Sequence, residues 1–169
     1  NILPMNFRQN IWKGSEKAPL AYRNLSNGEL YFNPRIVKDR KTIASYQKEG
    51  QEAWDKVTSN PDFFQGKQRE MVDKYIKARR QLVSDDAASP FAAMVQHECG
   101  HHIQNQIRWR DKETAKIVSD GFERYAVNIS GYATSTKGEY VAESFCAFVN
   151  DEADRIDPAL RKFFEGLMK

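Results

Sequence analysis

The chain has 169 residues, of which 40% are hydrophobic and 29% charged, and its formal net charge is +3. That length suits one domain with a real core, residues 1–169 as a single unit, and no run approaches the roughly 18 to 20 apolar residues that span a bilayer. Two cysteines, Cys99 and Cys146, are too few for a disulfide framework; no basic-then-apolar leader is visible, and so mild a charge speaks against nucleic acid as partner.

In chain order, residues 20–24 and 29–33 read as two short strands joined at Ser26-Asn27-Gly28, because Asn and Gly both tolerate positive φ. Asn33 and Pro34 then open a helix expected to reach residue 57, with a weak spot at Gly50. A second helix is expected over residues 67–83, with Met71, Tyr75, Ile76, Arg79 and Leu82 at helical spacing. Its basic run, Lys74 to Arg80, reads as a solvated helix face rather than a phosphate site. Ser89-Pro90 starts a third helix, and Asp111 caps a fourth with a stripe of Ala115, Val118, Phe122, Tyr125, Ala126 and Ile129. A fifth helix covers residues 137–150, with Val141, Phe145, Phe148 and Val149 on one face. Asp157-Pro158 opens the last, with Leu160, Phe163, Phe164 and Leu167 inward. The expected fold class is α+β, mostly helical, with a small antiparallel sheet or hairpin.

All three histidines of the chain fall within "HECGHH", residues 97–102. His97 and His101 are four apart, a little over one helical turn, so both project from one face and can reach a single ion. Imidazole nitrogens bind zinc at roughly 2.0–2.1 Å and leave room for a third ligand and water. Glu98, beside the first histidine, is placed to take a proton from that water. Helical spacing makes Phe91, Val95 and Cys99 the inward face, with His97 and His101 well off it. His102 does fall on that face and reads as a packed or hydrogen-bonded residue near the ligands. Cys99 reads as a structural thiol, and Gly100 as a place where another segment approaches closely.

With no histidine elsewhere, a further ligand must be Asp, Glu or Cys. The best donors are Glu139 and Glu143 in "GYATSTKGEYVAESFCAF", four apart on the fifth helix and pointing to one side. They suggest one ligand and one carboxylate that orients a ligand histidine. A competing use exists for Glu139: "TKGE" fits a capping box, with Thr136 as N-cap.

The ordered pair "HECGH" and "GYATSTKGEYVAESF" resembles the gluzincin metallopeptidases, and within them the anthrax lethal factor-like and Pro-Pro endopeptidase group. "ELYFNP" followed by a long helix is similar to the zincin-like domains of phage minor head proteins. The resemblance is close over residues 94–148 and weaker over 29–57. It implies a zincin-like metallopeptidase domain with one zinc ion held by His97, His101 and Glu139, with Glu98 as the base. It further implies that Tyr132 supports the oxyanion and that Glu143 sits behind a ligand. Gln96 stands where an apolar or small residue is more usual, which bears on packing. The expected substrate is a peptide or protein, held as an added strand on the hairpin edge near residues 29–33. Because the first residue is Asn1, an excised domain of a larger parent protein or a processed product is expected. The resemblance implies a phage particle as a setting, and the bacterial cytoplasm is the other, since no signal peptide or transmembrane segment is visible. A non-catalytic module of a phage head or toxin protein that retains the zinc site is the alternative; it would fill the fourth metal position with protein, from Cys99 or His102.

Overall fold

The computed structural model of the protein describes residues 21–23, 30–32, 40–78, 80–85, 87, 89–110 and 112–168. Two three-residue strands, β1 (Ala21–Arg23) and β2 (Leu30–Phe32), pair antiparallel with Tyr22 opposite Tyr31. The helices that follow are α1 (Arg40–Ser59), α2 (Gly66–Lys77), α3 (Pro90–Arg110), α4 (Lys112–Ile129), α5 (Lys137–Val149) and α6 (Pro158–Leu167). Short 3-10 turns lie at Pro61–Phe63, Val83–Asp85, Tyr132–Thr134 and Ala153–Arg155. The expected α+β class is therefore corrected to a helical one. A single two-stranded ladder of this length cannot form a packing layer, and the buried apolar core is drawn from the helices and the turns between them. The expected turn at residues 26–28, the Asn33-Pro34 start and the Asp111 cap lie outside the described residues.

The core is organised around α5. Every residue from Tyr140 to Ala147 is buried, as befits a helix that is covered on all sides. α3 runs antiparallel to it at close range: a Cβ on Gly100 would stand 2.5 Å from the Ala142 Cα. That approach corrects the expected inward face of α3. Phe91, Val95 and Cys99 are only half-buried, while Ala93, Gly100 and Ile103 are buried. The small residues let α5 cover a second side of the helix. α4 contributes Val118, Ala126 and Ile129, α6 contributes Leu160 and Phe164, and Phe164 meets Phe145 edge-on at 5.4 Å. β1, rather than β2, is the strand that packs along α3.

α2 departs from expectation in two ways. It buries Val72, leaving Met71 and Ile76 exposed, and it stops at Lys77 instead of residue 83. The chain beyond it is claimed by distant partners. Arg80 is buried, not solvated: its guanidinium donates to both Glu152 oxygens at 2.8 Å and to the Ile129 carbonyl at 2.9 Å. Glu152 is delivered by the stop of α5, where Asp151 has φ 62° and the Glu152 N–H bonds back to Ala147 O at 3.0 Å, a left-handed helix end. No helix among the described residues is long and apolar enough to cross a membrane.

Candidate metal centre

α3 brings His97 and His101 to one side, their rings edge to face with centroids 4.8 Å apart. Facing them, α5 presents Glu139. Its Oε2 lies 3.2 Å from His97 Nε2 and 3.3 Å from His101 Nε2. These ligand atoms lie within 4.8 Å of one another, and the group can hold a metal ion. A tetrahedral ion with ligand bonds of 2.0–2.2 Å separates its ligand atoms by about 3.3–3.6 Å, so both His–Glu distances match. The Glu139 Oε2 is buried, and its contacts with the two imidazole nitrogens lack the alignment of a good hydrogen bond. A buried carboxylate oxygen set between two imidazole nitrogens without an aligned hydrogen bond to either is a donor set that suits a cation.

The capping-box reading of Glu139 holds only in its first half. Thr136 does cap α5, its Oγ1 accepting the Glu139 N–H at 3.1 Å. The Glu139 carboxylate, instead of reaching back, goes to the histidines. Burial would raise its pKa, but His101 and His97 hold it down to about 2.

Glu143 sits one turn further along α5 and is almost wholly buried. Its Oε1 is 2.7 Å from His97 Nδ1. Its Oε2 accepts from the Ser130 hydroxyl at 2.7 Å and from the Val83 N–H at 2.8 Å. Burial pulls the His97 pKa down, yet the Glu139 and Glu143 carboxylates outweigh it and raise it to about 10. Glu98 is buried, and its charge is felt at both His97 and Tyr132.

Tyr132 opens the turn before α5. Its ring stacks on His97 at 5.9 Å between centroids, and 38% of its surface remains exposed. Burial of its hydroxyl, with the nearby charges of Glu139 and Glu143, pushes its pKa up to about 12. At neutral pH it is therefore a hydrogen-bond donor. Its backbone is held from the chain after α2: the Gly131 N–H donates to Arg80 O at 2.8 Å and the Tyr132 N–H to Gln81 O at 2.9 Å. Behind Gly131 packs Trp54 of α1, leaving no space for a Cβ.

The structure thus gathers His97, His101, Glu139, Glu143, Glu98 and Tyr132 in one place. His102 is buried beside them. Cys99 is outside the ligand group and packs partly against the core. Gln96 takes a hydrogen bond from Asn150 at 2.7 Å, a packing role. Sequence reasoning missed Ser130 and the Val83 N–H, which complete the shell of Glu143. Val83 can offer its N–H only because α2 ends early, and Ser130 carries no motif of its own. Compared with known proteins, the chain matches no family model, no curated protein and no solved structure.

Proposed function

We propose that the protein is a zinc-dependent endopeptidase of the gluzincin type, with His97, His101 and Glu139 as the ligands. The observation that carries this reading is the buried Glu139 Oε2 set at 3.2 and 3.3 Å from two imidazole nitrogens, with no well-aligned hydrogen bond to either. Three protein ligands favour an open fourth position, whereas structural zinc sites are closed by four. Zinc held by these three residues would supply Lewis acidity and would make water acidic enough to ionise near neutral pH.

The chain's own groups divide the remaining work. Glu98 takes the proton of the attacking water and returns it to the leaving amine. Tyr132 donates its hydroxyl hydrogen to the oxyanion that forms on the scissile carbonyl. Glu143 holds the ring of His97 from behind. The substrate is a peptide or protein segment.

Metal analysis of the purified chain should find one zinc per molecule, and Glu139→Ala should lose it. Glu98→Gln should keep zinc and fold while hydrolysing a peptide library several orders of magnitude more slowly. Wild type and Glu98→Gln turning over every peptide equally slowly would replace the enzyme with a non-catalytic zinc module.

A further inference from the structure

The hydrogen bonds behind His97 have a direction that the atoms themselves impose. Ala133 has a backbone N–H, which can only donate, and it donates to Ser130 Oγ at 3.0 Å. That uses an acceptor site of the hydroxyl and turns its own hydrogen toward the Glu143 Oε2, 2.7 Å away. The Val83 N–H, again a pure donor, meets the same oxygen at 2.8 Å. With Oε2 occupied by two donors, Oε1 is left to accept from His97 Nδ1 at 2.7 Å. The imidazole must then carry hydrogen on Nδ1 and turn Nε2 toward Glu139 Oε2. Ser130 is fully buried, as is Glu143 to within 1% of its surface, so water cannot replace a lost link.

Resting on the metal-site reading above, we propose that Ser130 is a positioning residue: through Glu143 it fixes the orientation and tautomer in which His97 faces the metal. The same hydroxyl accepts from Ala133 in the turn Tyr132–Thr134, so it also ties the Tyr132 turn to the ligand histidine. Outer partners of this kind commonly change metal affinity about 10- to 100-fold when removed.

The test compares Ser130→Ala with Ser144→Ala in the full chain, using competition with a zinc chelator. Ser144 is an equally buried serine next to Glu143 in sequence, but it takes no part in the chain of bonds from Ala133 to His97. Ser130→Ala should bind zinc about tenfold or more weakly, while Ser144→Ala stays at the wild-type value. Ser130→Thr, which keeps the hydroxyl, should recover most of the loss. In zinc-loaded protein labelled with nitrogen-15 at histidine, the His97 Nδ1–H should exchange with solvent faster in Ser130→Ala than in wild type. Should Ser130→Ala not fold, Ser130→Cys, with its weaker donor and acceptor, serves in the same comparison and should be intermediate. Equal zinc affinity and equal Nδ1–H exchange in wild type and the Ser130 variants would overturn the proposal while leaving the metal site intact. Failure of wild type itself to bind zinc would overturn the metal-site reading, and the proposal with it.

Discussion

Tyr132 separates chemistry from packing more sharply than any other side chain at the site. Its ring rests on His97 while its hydroxyl, protonated up to about pH 12, lies within the field of Glu139 and Glu143. Tyr132→Phe preserves the ring and deletes only the donor. It should fold and bind zinc as wild type does, with KM unchanged and kcat lower by about a hundredfold or more. Steady-state kinetics on any cleaved peptide checks this; an unchanged kcat would remove Tyr132 from the reaction. The grouping of His97, His101 and Glu139 is legible at this scale because spacing aligns the side chains: His97 with His101, and Glu139 with Glu143, are each about one helical turn apart. Thr136 and Glu139 illustrate where spacing is ambiguous. The same four residues that satisfy a cap can free a carboxylate for a metal, and only the opposite helix decides. Ser130 was not legible at all, since its partners Glu143 and Ala133 give it a role that no local pattern marks.

Helix starts were easier to read than helix ends. Thr136 and Asp157 cap α5 and α6 through bonds to N–H groups two or three residues on, a signal confined to adjacent sequence. The end of α2 depends instead on Gly131, Tyr132, Glu143 and Glu152, which take up the backbone and side-chain groups of residues 80–83 from far along the chain. The pairing of α3 with α5 is the element-level feature on which the candidate metal centre stands, because two of the three grouped residues, His97 and His101, lie on one helix and Glu139 on the other. Gly100 sets their separation. Helix propensity alone favours Ala over Gly by about 1 kcal/mol, so Gly100→Ala in isolation should stabilise α3. Here the added Cβ would lie 2.5 Å from Ala142 Cα and 2.8 Å from Ala142 O, backbone atoms that cannot rotate away. Overpacking of this kind costs about 1–3 kcal/mol, and contact outweighs propensity. Gly100→Ala should lower the urea midpoint and weaken zinc binding together. A more stable variant would show that the helices can part without loss.

Across the whole molecule, what was legible was the amount and periodicity of apolar sequence. Val118, Ala126 and Ile129 of α4, and Leu160 and Phe164 of α6, are buried where their spacing places them. The α+β expectation fails because three paired residues in each strand supply no face on which a core could form. Arg80 was misjudged for a related reason: in a basic run a single residue cannot announce that it will be buried. Once folded, it joins three parts of the chain, its own segment after α2, the end of α4 at Ile129, and Glu152 beyond α5. Its neighbours in sequence bear Tyr132 and Glu143, so Arg80 connects overall stability to the site. Arg80→Met removes the buried cation but keeps most of the volume, leaving Glu152, which is 24% exposed, with Arg155 at 3.1 Å as its remaining partner. Breaking one partner of a fully buried pair typically costs about 3–5 kcal/mol. The exposure of Glu152 and its second partner Arg155 make that an upper bound here, still a sizeable part of the roughly 5–15 kcal/mol that holds a domain together. The variant should unfold at markedly lower urea. Arg80→Met with Glu152→Met should recover part of that loss, since the carboxylate deprived of its buried cation is gone and the partly exposed Arg155 can turn to solvent, though the Ile129 carbonyl still lacks its donor. Measured by urea unfolding of all three variants, a double mutant no better than Arg80→Met would locate the contribution of Arg80 in its bond to Ile129 rather than in the ion pair.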